Sequence, residues 1–285
     1  MTNASHTASL IEEFHLIFLH VLTIALKPSL YVLKGGANLR YFFGSFRYSQ
    51  DIDLDYLGKQ SWRLEEVVDG VLAGPALRMS LRASGISLLD LTKPKQTETT
   101  KRWKMGITST YPSKNTSART KIEFSTCEGN SAYEFATLPD SVIECYGLRS
   151  FSVQRYGLSA MIEQKIAALA NRSQTKARDV FDLDLLFRLY AKSRNGEKVN
   201  SAHAEAAALR VLSLSDENFE SEVVPFLEPE IARLYEAPGT WKQMQIFVCK
   251  NVNALVTAKD DPAFPVPIFH DPQSPDCHGR RKFTL

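Results

Sequence analysis

The stretch "KGGANLRYFFGSFRYSQDIDLDYLG", Lys34 to Gly58, carries aspartates at 51, 53 and 55 alternating with Ile52 and Leu54, a short way after a Gly-Gly pair. On a strand, side chains at i, i+2 and i+4 share one face. The three aspartates therefore point one way while Ile52 and Leu54 point into a core. Carboxylates gathered on one face repel one another, and a divalent cation between them supplies the compensating charge. Mg²⁺ suits such a place, because it takes one or two carboxylates together with substrate phosphates. A solvated edge strand that uses acids to discourage further pairing is the other reading of the aspartates alone. Gly35 and Gly36 fall between an expected strand, Tyr31 to Lys34, and an expected helix, Ala37 to Phe43. There glycine permits close backbone approach, and the first N–H groups of the helix can bind an anion. A Gly-Gly by itself also suits a tight turn. Strand, Gly-Gly, helix, loop and Asp-x-Asp in succession describe a phosphate cradle facing a metal site.

Working outward, Leu10, Ile11, Phe14, Ile17, Phe18, Val21 and Ile24 recur at helical spacing ahead of the first strand. After the aspartate strand, the spacing predicts one helix over Leu64 to Leu81, a strand at Ile86 to Leu91, and a hairpin built from Trp103 to Ser109 and Thr120 to Ser125. From Leu158 the period is helical again: Leu158, Met161, Ile162, Ile166 and Leu169 on one helix, Val180, Phe181, Leu183, Leu186 and Leu189 on the next. The fold expected is an α/β (α+β) N-terminal core with a mixed sheet over residues 1–150, followed by a C-terminal helical bundle over 151–258. The last residues, 259–285, hold five prolines and read as an extended tail. A chain of 285 residues accommodates two lobes comfortably.

A hydrophobic content of 44% with 23% charged residues excludes the disordered composition class. The net charge of +2 is too small to mark a nucleic-acid binder, so the placement of charge has to carry any such argument. Between Leu91 and Lys121 eight basic residues stand against one acid, Glu98, with Trp103 and Tyr111 among them. Charge and stacking groups of this kind are what RNA binding uses, and Lys101, Arg102 and Lys104 are the candidate RNA contacts. A solvated basic face is the alternative. The cysteines, Cys127, Cys145, Cys249 and Cys277, show no CxxC spacing and read as reduced thiols of a cytoplasmic protein. The longest near-apolar run, Leu16 to Leu26, is about half the length that spans a bilayer and follows Glu12 and Glu13, so no membrane or export segment is expected. His270, Cys277 and His278 have metal-ligand side chains but no recognised ligand spacing.

"LKGGANLRYFFGSFRYSQDIDLD" resembles the signature of the DNA polymerase β-like nucleotidyltransferase superfamily, and within it the AbiEii branch, the toxins of bacterial abortive-infection and toxin–antitoxin pairs. The D-h-D-h strand of that signature (h apolar) matches Asp51-Ile52-Asp53-Leu54, and "KIEF" matches the later strand that brings a third carboxylate, Glu123. "LSAMIEQKIAALANRSQTKARDVFDLDLLF" resembles the helix with an essential lysine, Lys165, followed by an R-D-x-x-D-L helix with Arg178, Asp179, Asp182 and Leu183. The match runs from Val32 to Phe187. It implies a nucleotidyltransferase using Mg²⁺ or Mn²⁺ at Asp51, Asp53 and Glu123. An NTP would lie on Gly35, Gly36, Lys165, Arg178 and Asp179, with Arg47 and Ser49 touching phosphate or capping the loop. The acceptor implied is an RNA such as a tRNA 3′ end, and the implied partner is a separately encoded antitoxin.

Read from the residues, several of these remain open. Asp55 lies one step past the motif and is expected in solvent or just outside the metal's ligands. Glu123 also suits a surface ion pair with Lys121. Arg178 and Asp182 have the spacing of a helix-face salt bridge, while Asp179 and Asp182 have the spacing to orient Lys165 and the base or ribose. Besides transfer to RNA, the same side chains suit transfer to a protein or small-molecule hydroxyl, a nuclease-like hydrolysis, or a non-catalytic nucleotide-binding protein.

Overall fold

The computed structural model describes residues 3–111, 116–126, 133–193, 199 and 202–257. The expected tail, the His270–Cys277–His278 group and Cys127 lie outside them. The chain divides into two units, Met1–Met161 with Glu220–Ala237, and Ile162–Phe219 with the chain from Pro238.

The first unit is built on a seven-stranded mixed sheet of order β3-β4-β5-β2-β1-β7-β6. Its strands are β1 (Tyr31–Lys34), β2 (Asp51–Tyr56), β3 (Ile86–Gln96), β4 (Thr100–Ser109), β5 (Ser117–Thr126), β6 (Tyr133–Thr137) and β7 (Ser152–Tyr156). β2 lies antiparallel to β1 and parallel to β5, and β4 and β5 form the antiparallel hairpin expected from their alternation. β7 pairs parallel with β1, so the sheet extends past residue 150. One face of the sheet is apolar. Leu33, Ile52, Leu54, Ile122, Trp103 and Met105 are fully buried on it. α1 (Asn3–Ala25) and the helices α3 (Ser61–Ala73) and α4 (Pro75–Ala83) cover that face.

α1 is buried through Phe14, Leu16, Phe18, Leu19 and Leu22. Its segment His6–Ala25 is apolar and long enough to cross a membrane, but 61% of it is buried inside the protein, as a core helix requires. The single helix expected over Leu64 to Leu81 is two. Gly74 is extended, with φ −72° and ψ 154°, and Pro75 opens α4. Proline lacks the N–H that a continuous helix needs and pushes its predecessor out of the helical region, yet it is well placed at a first helical position.

α2 (Gly35–Phe42) leads from β1 and is pinned from behind by Arg40. The Arg40 guanidinium donates to Glu12 on α1 at 2.6 Å and reaches Glu228 at 3.4 Å, and the Tyr146 hydroxyl closes on Glu12 at 2.9 Å. Glu228 precedes α10 (Pro229–Leu234), and Arg47 bridges to Leu227 nearby, which explains why residues 220–237 belong to this unit.

Among its described residues the second unit is helical, with α7 (Ala177–Lys192), α8 (Ala204–Val211), α11 (Thr240–Thr257) and most of α6 (Leu158–Asn171). α11 packs on α7 and α8. Gln245 of α11 donates to the carbonyls of Val211 and Leu214, satisfying the end of α8, and Phe219 stacks on Trp241 at 4.9 Å.

Candidate active site

The polar face of the sheet carries the aspartates of β2. Strand register then lines up charges that are far apart in sequence: Lys34 of β1 sits opposite Asp53, Asp53 opposite Glu123 of β5, and Glu123 opposite Arg102 of β4. Asp51 is paired in register with Lys121. The structure therefore brings Asp51, Asp53 and Glu123 together, as expected from the motif, and adds three cations.

Lys121 is the central one. Its ammonium lies 3.3 Å from Asp51 Oδ2, 3.8 Å from Asp53 Oδ1 and 3.5 Å from Glu123 Oε2. Arg102 donates from Nε to the same Glu123 oxygen. Burial raises the Asp53 pKa, with Asp51 and Glu123 adding to the rise against the opposing charge of Lys121. For Glu123, burial acts upward too, but the Arg102 hydrogen bond and Lys121 outweigh it and hold the carboxyl below the usual range. Burial alone would lower Lys121; Asp53, Asp51 and Glu123 raise it instead. Glu123 is thus a well-held carboxylate, while Asp53 is one whose charge is poorly solvated.

Asp55 is not in solvent. It is 6% exposed, accepting from Lys34 at 2.5 Å and from the Tyr156 hydroxyl at 2.6 Å. The sheet continues beyond β1 into β7, and Tyr156 of β7 closes over a position that would face water if β1 were an edge. Asp55 in turn anchors Lys34, the residue before Gly35.

Both glycines are required by their surroundings. Gly35 has φ +66°, in the left-handed region, and a Cβ there would lie 3.1 Å from Asp53 Oδ2. A Cβ on Gly36 would lie 2.7 Å from Ser49 Oγ and 3.2 Å from the Arg47 guanidinium. Ser49 donates to the carbonyl of Asp51, and Arg47 is buried against the backbone of Tyr48, so these two shape the turn into β2. The N-cap residue of α2, Lys34, makes no side-chain cap to the first turn, and that turn opens beside Asp53.

A divalent cation fits this donor set. The oxygens are hard carboxylates of the kind Mg²⁺ and Mn²⁺ prefer, Asp53 is poorly solvated as an anion, and the cradle at Gly35 lets the backbone approach its carboxylate. As the side chains stand, no group of three or more His, Cys, Asp or Glu among the described residues is gathered tightly enough to hold a metal, and the cation among these three is Lys121.

In the helical unit, Lys165 of α6 is buried and donates to two aspartates of α7 with no exposed side-chain surface, Asp179 at 3.0 Å and Asp182 at 2.5 Å. Arg172 also pairs with Asp179. Of the two spacings open in the sequence, the structure uses Asp179 and Asp182 to hold Lys165; Arg178 is half-buried beside them.

The family model for "Nucleotidyl transferase AbiEii toxin, Type IV TA system" matches residues 17–245, most of the chain. The chain belongs to the AbiEii family. It is a nucleotidyltransferase, and membership of a type IV toxin–antitoxin family implies a nucleotide substrate and a cognate antitoxin. No curated protein matches it. Two solved structures from Helicobacter pylori share the fold: JHP933, at 19% identity and a TM-score of 0.52, covering 89% of this chain and 96% of that one, and a protein described as a candidate nucleotidyltransferase, also at 19% and 0.52, covering 87% and 97%.

The basic segment of this AbiEii protein does not form one face. Lys101 is 7% exposed and pairs with Glu65 of α3 at 3.0 Å, on the opposite side of β4 from Arg102 and Lys104. Trp103, expected among the stacking groups, is fully buried with its indole N–H on Asp69 at 2.8 Å. Arg102 is committed to Glu123, and Lys104 is exposed. Sequence reasoning misses Lys34 and Tyr156 and reads Lys121 only as an ion-pair partner of Glu123, a pair the structure has at 3.5 Å. Lys121 carried a signal, being two residues before Glu123 and hence on its face of the strand.

Proposed function

We propose that this AbiEii nucleotidyltransferase transfers the NMP of an NTP to an RNA acceptor, such as a tRNA 3′ end, in the cytoplasm, with release of pyrophosphate. The observation that carries the reading is the register of Asp51, Asp53 and Glu123 on adjacent strands beside the Gly35–Gly36 turn. Asp51 and Asp53 would hold Mg²⁺ or Mn²⁺, with Glu123 as a further ligand or as the acceptor of the hydroxyl proton. Such an ion, when bound, neutralises triphosphate charge and favours the alkoxide form of the attacking hydroxyl.

The chain's own residues do the rest. The N–H groups that open α2 bind phosphate oxygens, and Gly35 and Gly36 allow those oxygens to come close. Glu123 stands as a carboxylate, the form that can take the hydroxyl proton as the acceptor oxygen attacks the α-phosphorus and the bond to pyrophosphate breaks; Arg102 and Lys121 favour that charge and so weaken it as a base while they hold it. The roles of Lys165, Arg178, Asp179 and Asp182 toward nucleotide are proposed on the resemblance of their motif. Resemblance and the exposed Lys104 support an RNA acceptor. The engagement of Lys101 and Arg102 in ion pairs favours a second reading, transfer to a protein or small-molecule hydroxyl.

Pyrophosphate release from each NTP in the presence of Mg²⁺ and acceptor, compared between the wild type, Asp53→Asn and Glu123→Gln, tests the site. Both variants should fall to the background of the protein-free control while keeping their fold. Near wild-type release by Asp53→Asn refutes the assignment.

A further inference from the structure

Lys121 opens the "KIEF" strand but is not one of the carboxylates that strand and the Asp-x-Asp strand supply, and it lies within 4 Å of all three. It stands on β5 next to Glu123 and in register with Asp51, its side chain 21% exposed. Of the other cations on this face, Lys34 of β1 holds Asp55, Arg102 of β4 holds Glu123 from the far side, and Lys104 of β4, in register with Lys121, is exposed. Among the described residues, the cation within 4 Å of all three carboxylates is Lys121.

A divalent ion bound to these oxygens would need them at about 2.0–2.1 Å for Mg²⁺. The ammonium stands 3.3–3.8 Å from the same oxygens and fills the space between them. Two cations cannot share that space. An ammonium on a flexible four-carbon stem is able to swing out, unlike a planar guanidinium held by a bidentate pair. Resting on the reading of Asp51, Asp53 and Glu123 as metal ligands, we propose that Lys121 is the resident cation of the metal-free site. Its ammonium takes the metal's place, keeps the carboxylates compatible with a folded sheet, and must move aside before a divalent ion binds.

Two consequences distinguish this from an ordinary ion pair. The lysine competes with metal, so metal affinity without nucleotide is lower than the donor set alone would give. An incoming triphosphate offers the displaced ammonium new oxygens, so nucleotide and metal favour each other's binding. Mn²⁺ binding followed by electron paramagnetic resonance, with no nucleotide present, reads the first directly. Lys121→Met, which keeps the apolar stem, should bind Mn²⁺ on the order of tenfold more tightly than wild type, since a unit charge within 4 Å of the ligands has been removed. Its melting temperature in EDTA should be below that of wild type and should rise more steeply with added Mn²⁺.

Lys121→Arg provides a check that survives poor folding of the methionine variant. The guanidinium pairs more firmly with carboxylates, so Mn²⁺ uptake should weaken. Equal Mn²⁺ affinity in wild type and both variants overturns the inference while leaving the metal site standing. No Mn²⁺ uptake by any of the three proteins, with or without NTP, overturns it together with the metal reading.

Discussion

Replacing Lys165 by methionine keeps the length and apolar stem of the side chain and removes the ammonium from beside Asp179 and Asp182. Both aspartates have no exposed side-chain surface, so water cannot take the ammonium's place without opening α6 from α7. Breaking a buried pair from one side typically costs about 3–5 kcal/mol. Arg172 still holds Asp179, which puts the expectation near the lower end, about 3 kcal/mol. For a protein whose whole stability is about 5–15 kcal/mol, that is a large share. Urea unfolding of the helical unit, followed by the fluorescence of Trp241 with Trp62 and Trp103 replaced by Phe in all proteins compared, should show a midpoint lower by roughly 1–3 M for slopes of about 1–3 kcal/mol/M. The double variant Lys165→Met with Asp182→Asn should recover part of the loss, because it also removes a buried charge. A methionine variant within about 0.5 kcal/mol of wild type, or a double variant no better than the single, would refute the reasoning. The result also decides how any loss of activity in Lys165 variants is read, since a phosphate role is separable from a folding role only where the helical unit stays intact.

Asp53→Asn should raise the stability of the metal-free protein at neutral pH, since a carboxylate whose native pKa is raised is penalised in its charged form. The penalty is absent below about pH 3.8, where the group is protonated in both states, and develops as pH rises through the native value. Thermal melts in EDTA across that range check it, and a gain that grows toward acid would contradict it. Gly35→Ala should destabilise by about 1–2 kcal/mol from its left-handed backbone alone, and should also weaken Mn²⁺ binding, because the new Cβ would lie 3.1 Å from Asp53 Oδ2. Melting and Mn²⁺ titration of that variant measure the two effects separately.

The aspartate strand was legible because a period of two is the direct signature of one-sided burial: Ile52 and Leu54 are fully buried and Asp51 and Asp53 face away from them. The Gly-Gly was legible as a special backbone position, and Gly35 has the positive φ that demands it. The Lys121 contacts with Asp51 and Asp53 depend instead on the parallel pairing of β2 with β5, which has no local pattern. Lys101 and Trp103 looked like an RNA face because charge and aromaticity were read without the strand's alternation, which turns both inward with Met105. For Asp55 the sequence leaves solvent and a place just outside the metal's ligands both open; solvent is excluded only by β7 beyond β1, which brings Tyr156 over it. The break at Gly74–Pro75 was visible in the sequence but hidden by the regular apolar spacing on either side.

The most direct test of the account supplies the protein with Mg²⁺, total RNA and each NTP labelled in turn at the α- or the γ-phosphate. Nucleotidyl transfer to RNA predicts that α-label from at least one NTP becomes covalently attached to RNA, that γ-label leaves as pyrophosphate, and that Asp53→Asn abolishes both. Label entering RNA from the γ-position, or α-label attached equally by wild type and Asp53→Asn, would contradict it.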